Sequence, residues 1–212
     1  MTALRENPTT THDPRYSVKI LSGAFVDVSN PLPEQFDLDS IGNGLAKVCR
    51  FVGQIPFWYS VAEHAYWVSK RLEWLGHTVA VQLGGLHHDD PEHVISDIPA
   101  PVKRWLAVHT DALEILEASL MAAIIPALGF HPGEIDLEHP AVHAADQWAR
   151  SGEALYLTQS GRHGCGDLPD HDPYPDLSSI GLSSERAADL WIARHHELVS
   201  SLRGLGSHTR HV

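Results

Sequence analysis

The sequence predicts a compact, all-α helical bundle, and two features lead to that prediction. Apolar residues recur at alternating steps of three and four through several segments, which is the period of a helix face turned toward a core. The chain has 212 residues, 43% of them hydrophobic, and can therefore bury one substantial core. We expect a single domain over residues 18–205, between a flexible N-terminal segment at 1–17 and a frayed tail at 206–212.

The first half of the chain predicts one small β element followed by helices. Residues 18–28 have the composition of a short strand or hairpin, with Gly23 at its turn. Helices are expected over 39–49, over 60–75, and from Thr78 to about residue 89. Two adjacent glycines, Gly84 and Gly85, lower the helix propensity of the third but allow a neighbour to approach closely.

The second half predicts three more helices. Pro99 and Pro101 are expected to force an extended link, because a residue before proline avoids the helical region. Apolar periodicity then predicts helices over 111–128, 139–160 and 185–203. Residues 161–184 are rich in glycine, proline, aspartate and serine, which indicates a surface loop.

The helix predicted over 60–75 carries a histidine on its core-facing side. Ser60, followed three residues later by Glu63, is a capping-box signature for the helix start. A histidine such as His64 that faces a core needs a partner for its ring nitrogens, either a backbone carbonyl or a metal ion. The apolar positions that define this face are Val61, Ala65, Val68, Leu72 and Leu75.

Two further positions carry metal-binding side chains in unusual places. His88 and Asp89 are adjacent at a predicted helix end, where both can bind one divalent ion. A nitrogen and a carboxylate oxygen together suit zinc, manganese, iron or cobalt better than calcium. Asp146 lies on the apolar face of its helix, where a carboxylate is either paired with an arginine or bound to a cation. Two histidines and two aspartates on three helices are less expected by chance than any one of them.

This set of residues resembles the metal site of the HD-domain phosphohydrolases. Within this superfamily the sequence more specifically resembles the branch that contains bacterial 5'-deoxynucleotidases and bacteriophage dATP triphosphohydrolases. The resemblance extends over roughly residues 18–203. The resemblance implies a compact HD-domain bundle and one divalent transition metal (zinc, cobalt or manganese), with additional magnesium accompanying a triphosphate as an option. The matching segments are Arg50-Phe51, Tyr59-Ser-Val-Ala-Glu-His64, His88-Asp-x-x-Glu92 and Asp97-Ile-Pro-Ala-Pro-Val-Lys103.

The resemblance also implies a role for each matching residue. Glu92 and Asp97 are expected to act in general acid–base catalysis or in positioning water, although Asp97 could instead cap the turn before Pro99. His87 is the rival metal ligand, but the register with Glu92 and Asp97 favours its neighbour. The implied metal ligands are His64, His88, Asp89 and Asp146.

The same resemblance implies substrate contacts. Arg50 and Lys103 are expected to bind phosphate, whereas Arg104 is more simply read as a solvated surface charge. Phe51 offers an aromatic face at a position where relatives often carry tryptophan. Trp58 and Trp67 are alternative stacking residues, but at helical spacing they are more often packing residues.

Three functions follow from these expectations. The favoured one is hydrolysis of dATP or another dNTP to a deoxynucleoside and triphosphate. The second is removal of phosphate from deoxynucleoside 5'-monophosphates, which would use the same metal site. The third is a catalytically inactive nucleotide-binding module. The resemblance further implies a homo-oligomer, because relatives assemble as dimers or hexamers.

Charge and composition restrict the partners. The formal net charge is −12, which disfavours binding to a nucleic acid polymer but permits a small anionic nucleotide near local cations. The sequence has no apolar run long enough to cross a membrane and no hydrophobic signal core at its start. Cys49 and Cys165 are too few for a disulfide framework. We therefore expect a cytoplasmic protein, in the host cytoplasm if the chain is viral.

Overall fold

The helical prediction is confirmed by the structure, a computed structural model that describes residues 13–157 and 180–208. Residues 1–12 and 209–212 of the predicted termini, and residues 158–179, which include most of the predicted loop, lie outside the described residues. The elements in chain order are β1 (Ser17–Lys19), β2 (Phe25–Asp27), α1 (Leu38–Leu45), α2 (Val61–Trp74), α3 (Val79–His87), α4 (Glu92–Ile95), α5 (Ala100–His109), α6 (Ala112–Ala127), α7 (Pro140–Leu157) and α8 (Ser184–His208).

The predicted hairpin is present. Strands β1 and β2 pair in antiparallel fashion, with Ser17 opposite Asp27 and Lys19 opposite Phe25. Gly23 lies in the turn at φ +89°, a left-handed conformation that glycine adopts without steric cost. The hairpin adds Val26, which is fully buried, to the main core of the bundle.

Helix α1 is shorter than predicted and ends at Leu45 rather than near residue 49. The chain instead turns and becomes extended, so that Cys49 forms an antiparallel bridge with Ser60. In this arrangement the N–H of Arg50 donates to the carbonyl of Tyr59 at 2.9 Å. The early helix end therefore brings Arg50 beside the start of α2, which a longer helix would not do.

Helix α2 lies at the centre of the bundle, in contact with α3, α7 and α8. Its start is capped as predicted, since the Ser60 hydroxyl accepts a hydrogen bond from the Glu63 N–H at 3.2 Å. The Glu63 carboxylate turns instead to the backbone N–H groups of Gly181 and Leu182. The predicted apolar face is buried except at Leu75, which is 55% exposed because the helix has already ended at Trp74.

Close approach at the two glycines of α3 is also confirmed. A β-carbon on Gly84 would collide with the carbonyl group of Asp136, whose carbon would lie 2.7 Å away. A β-carbon on Gly85 would collide with the side chain of Leu72 in α2. The two glycines therefore let α3 pack tightly between α2 and the chain that leads into α7, and this packing fixes the position of the end of α3.

The extended link predicted around the prolines is wrong beyond Pro99. Pro99 itself is extended, at φ −57° and ψ 139°, but α5 begins immediately after it at Ala100. Pro101 fits the first turn of that helix, because N–H groups there have no intrahelical partner and proline loses nothing by lacking one. The last helix, α8, continues to His208, five residues past the predicted end.

Helix α8 closes the core. Trp191 is fully buried, and its indole N–H donates to the carbonyl of Leu86 near the end of α3 at 3.1 Å. Among the described residues, no helix combines the length and the apolar character that a membrane span requires.

We predict that Gly84→Ala destabilises the protein by about 1–3 kcal/mol, because the added methyl group would meet backbone that cannot move aside. Thermal or denaturant unfolding measures the effect. Gly204→Ala is the matched control, since its added carbon meets no neighbour within 4 Å in the described part of the chain and alanine is the better helix former by up to about 1 kcal/mol. Equal stabilities for Gly84→Ala and the wild type would contradict the packing described for α3.

Candidate metal centre and the cavity beside it

Three side chains from two helices converge on one point. His64 lies in the first turns of α2, and His88 and Asp89 follow directly after α3. Each offers one ligand atom, and these atoms all lie within 4.8 Å of one another. This spacing allows the three side chains to bind a single metal ion, so the sequence prediction for them is supported by geometry.

Asp146 reaches the same point from α7. Its Oδ1 atom lies 3.2 Å from Nε2 of His64 and 3.9 Å from Nε2 of His88. Its other carboxylate oxygen, Oδ2, faces Arg150 at 3.8 Å. The contact with Arg150 agrees with the arginine-paired interpretation of this carboxylate, while Oδ1 faces the two histidines. Asp146 lies outside the group of three side chains whose ligand atoms are all within 4.8 Å of one another.

The two imidazole rings are oriented with the same nitrogen toward the cluster. Nδ1 of His64 bonds to Oε1 of Glu153 at 2.5 Å, and Nδ1 of His88 donates to the carbonyl of Gly85 at 2.9 Å. Nε2 of each ring is buried and has no hydrogen-bond partner among the described residues. Buried polar atoms without partners are costly, and a divalent cation is the partner that two such nitrogens beside two carboxylates would fit.

The alternative in which His64 bonds a backbone carbonyl does not hold, because the partner of its Nδ1 is a carboxylate. The rival ligand His87 points away from the cluster. Its Nδ1 bonds to Oδ2 of Asp90 at 2.7 Å, and its Nε2 lies 3.0 Å from Nδ1 of His195 in α8. Both ring nitrogens of His87 are therefore occupied, which supports His88 as the member of the pair that faces a metal.

Glu153 is the important residue that the sequence analysis missed. It is fully buried in α7, two helical turns after Asp146, and its carboxylate contacts His64, Tyr59 and Arg50. The sequence does contain one indication, because Glu153 is a second acidic residue on the same helix face, seven positions after Asp146. Its meaning depends on partners about 90 to 100 residues earlier in the chain, which periodicity does not reveal.

Electrostatics around the cluster keep its carboxylates ionised. Burial opposes ionisation of Asp89, but the charges of His88, His64 and Arg50 lower its pKa well below the usual range. In the same way His64 lowers the pKa of Asp146 to about 2 against the effect of burial. His88 is buried, which opposes protonation, yet Asp89 and Asp146 raise its pKa to about 9. The His88 ring therefore favours a bound cation, either a proton or a metal ion.

A cavity of about 420 Å³ opens beside the cluster. This volume is within the range of small-molecule sites. Two cations that the sequence analysis did not assign to the site, Arg104 and Arg150, also line it. The predicted site residues that line it are Arg50, Phe51, Asp89, Glu92, Asp97, Lys103 and Asp146.

Glu92 is buried at the cavity wall, although its spacing of four residues from His88 would place both on one face only if the helix continued. The chain turns after α3, and Glu92 starts the separate short helix α4, so it does not share a helix face with His88. Burial and the nearby charge of Asp89 raise the pKa of Glu92 to about 9. One of its oxygens, Oε1, accepts from Nζ of Lys103 at 3.3 Å, and Oε2 is buried without a hydrogen-bond partner among the described residues.

The cations of the site are already partly engaged. Arg50 is buried, with its guanidinium 3.1 Å from Oε2 of Glu153 and 3.7 Å from Oδ2 of Asp89. Lys103 bridges Glu92 at 3.3 Å and Glu117 at 2.9 Å. Phosphate binding by Arg50 and Lys103 therefore stays a prediction, and it requires that the anion share these cations with the carboxylates.

The cavity rim carries backbone strain. Phe51 and Val52 adopt consecutive left-handed conformations at φ 57° and φ 54°, which are uncommon for bulky residues. This turn brings Phe51 to the cavity, whereas Trp58 and Trp67 are not among its lining residues within the described part of the chain. Asp97 also lines the cavity. Among the described residues, no side chain, that of Asp97 included, caps the start of α5 at Ala100.

No family model matches the chain. Its sequence is 36% identical over 89 residues to an uncharacterized protein of Rhodobacter capsulatus, a match that covers 40% of this chain and 45% of that protein. It is 30% identical over 101 residues to the uncharacterized protein YfdR of Escherichia coli, covering 48% of this chain and 54% of YfdR. The chain thus spans about half the length of the curated relatives it matches.

Proposed function

We propose that the protein is a metal-dependent phosphohydrolase of deoxynucleotides. The observation that carries this proposal is the convergence of the buried Nε2 atoms of His64 and His88, which make no hydrogen bond among the described residues, on the carboxylates of Asp89 and Asp146. A site of this kind next to a cavity lined by arginine and lysine side chains suits hydrolysis of an anionic phosphate ester. Zinc, cobalt and manganese are the proposed metals, because all three accept nitrogen and oxygen ligands.

A bound divalent ion would activate a water molecule near neutral pH and would neutralise charge that develops on phosphorus. The protein's own residues supply the remaining requirements. Glu92 lies at the cavity wall beside the cluster, where burial raises its pKa, and it is assigned to proton transfer to a leaving oxygen. Asp97 lines the same cavity and is assigned to positioning water.

Recognition of phosphate falls to four basic side chains that line the cavity. The protein as a whole is acidic, with a formal net charge of −12, and carboxylates also line the cavity, so an anionic substrate depends on these cations together with a bound metal ion. Phe51 provides the aromatic surface for the base or sugar. The basic residues are Arg50, Lys103, Arg104 and Arg150.

Within this class we favour dNTP hydrolysis to a deoxynucleoside and triphosphate, with dATP as the first substrate to test. The ground for this preference is the segment Tyr59-Ser-Val-Ala-Glu-His64, which resembles the phage-type enzymes more than the nucleotidases. The alternative is a 5'-deoxynucleotidase, and the metal cluster would serve either reaction. A nucleotide-binding module without activity would have no evident need for two imidazoles held in coordinating orientation.

We predict that the protein, stripped of metal and then reloaded with cobalt, manganese or zinc, releases inorganic triphosphate from dATP. Anion-exchange chromatography separates triphosphate from orthophosphate and identifies the reaction. Orthophosphate from dAMP, without triphosphate from dATP, would replace the favoured reaction with the nucleotidase. No hydrolysis of any common mono- or triphosphate with any of the three metals would leave only a binding module.

We predict different losses for two acidic residues of the site. Asp89→Ala should abolish turnover and also reduce bound metal, because it removes a ligand. Glu92→Gln should lower kcat by about 10²- to 10⁴-fold with bound metal unchanged, because the amide cannot transfer a proton. Metal content by mass spectrometry and steady-state kinetics on the same preparations measure both effects.

Glu185→Gln is the matched control, since Glu185 lies at the exposed start of α8, outside the residues that line the cavity. Its kinetics and metal content should equal those of the wild type. Full activity in either site variant would show that the residue does not have its assigned role. Loss of metal from Glu92→Gln would move Glu92 from acid–base chemistry to metal binding.

A further inference from the structure

The carboxylate of Glu153 has an unusual set of partners for a residue with no exposed surface. Its Oε1 atom lies 2.5 Å from Nδ1 of His64 and accepts from the hydroxyl of Tyr59 at 3.0 Å. Its Oε2 atom accepts from Nε of Arg50 at 3.1 Å and faces the same guanidinium at Nη2. The buried Glu153 carboxylate on α7 therefore contacts three groups. They are His64 in α2, Tyr59 just before α2, and Arg50 at the cavity wall.

We propose that Glu153 is the positioning residue of the metal centre, which fixes the coordinating nitrogen of His64 and the direction of Arg50. This inference rests on the proposed function only for the presence of a divalent metal. The carboxylate accepts a hydrogen bond from Nδ1–H, and with the proton held on Nδ1 the lone pair of Nε2 is left on the side of the ring that faces Asp89 and Asp146. Glu153 does not reach the cluster itself and acts through the ring of His64.

A carboxylate is the partner that this position requires. An imidazole can be protonated on either nitrogen, and the hydrogen bond at one of them decides which nitrogen can bind a metal. A carboxylate also makes the ring a stronger ligand than a neutral acceptor does. His88 has only the carbonyl of Gly85 at its Nδ1, so His64 is the more strongly polarised of the two rings.

The contact with Arg50 extends the role of Glu153 to the substrate side. The guanidinium is buried and needs an anion to offset its desolvation, and Glu153 provides it. Held in this way, Nη1 of Arg50 remains 3.7 Å from Oδ2 of Asp89 and lines the cavity. Glu153 thus sets the distance between Asp89, a proposed metal ligand, and Arg50, a cation available to phosphate.

Glutamine at position 153 separates these effects from packing, because it keeps the size of the side chain but loses its charge. Glu153→Gln should weaken zinc or cobalt affinity by about 10- to 100-fold, the usual effect of losing a partner behind a metal-binding histidine. Titration of the metal against a competing chromogenic chelator measures this without any substrate. KM for the phosphate substrate should rise as well, because Arg50 loses the carboxylate that holds its guanidinium in position at the cavity wall.

Glu63→Gln is the matched control. Glu63 is also buried, is adjacent to His64 in α2, and binds backbone N–H groups of Gly181 and Leu182 rather than the histidine. Its substitution tests whether loss of any buried carboxylate near His64 weakens metal binding. Affinity within about threefold of wild type is expected for Glu63→Gln, well short of the loss expected from a missing ligand partner.

A second measurement needs no variant. Nitrogen-15 NMR of the zinc-loaded wild-type protein should show His64 protonated at Nδ1 and bound to zinc through Nε2. Zinc bound through Nδ1, or equal metal affinities for Glu153→Gln and Glu63→Gln, would overturn the role of Glu153. A wild-type protein that binds no metal would overturn both this role and the proposed function. Tight metal binding without phosphate release would overturn the proposed function alone.

Discussion

Two imidazoles whose Nε2 atoms are buried beside two carboxylates are the constraint on which the rest of the structure depends. Nε2 of His64 and Nε2 of His88 are removed from solvent and have no hydrogen-bond partner among the described residues. Burying such atoms is unfavourable unless a ligand satisfies them. Asp89 and Asp146 lie within 4 Å of these nitrogens and make the position attractive to a cation. The energetic cost of this arrangement is offset if a metal ion binds there.

The fold holds this arrangement by close packing of its helices. The central helix α2 carries His64, and Gly85 in α3 lets that helix approach α2 closely enough to bring His88 and Asp89 beside it. Helix α7 contributes both Asp146, which faces the cluster, and Glu153, which holds the outer nitrogen of His64. The cavity lies on the side of the cluster where α5 begins, and its cations are balanced by carboxylates until a substrate competes for them.

Helical periodicity marks two members of the cluster, the adjacent pair His88-Asp89 supplies the other two, and neither pattern predicts the residues that support it. His64 and Asp146 stood out because they are polar residues at positions that the helix repeat turns toward the core. Glu153 did not, since its value comes from Tyr59 and Arg50, which tertiary folding alone brings to it. The prolines at 99 and 101 predict an extended link where α5 lies, because proline disrupts the interior of a helix. The first turn of a helix nevertheless accepts proline, and α5 begins there.

The most direct test of the account is an anomalous difference map from crystals of the protein grown with cobalt. The account predicts one strong peak bound by Nε2 of His64, Nε2 of His88 and carboxylate oxygens of Asp89 and Asp146. A peak at His87 and His195, or no ordered metal near residue 64, would contradict it.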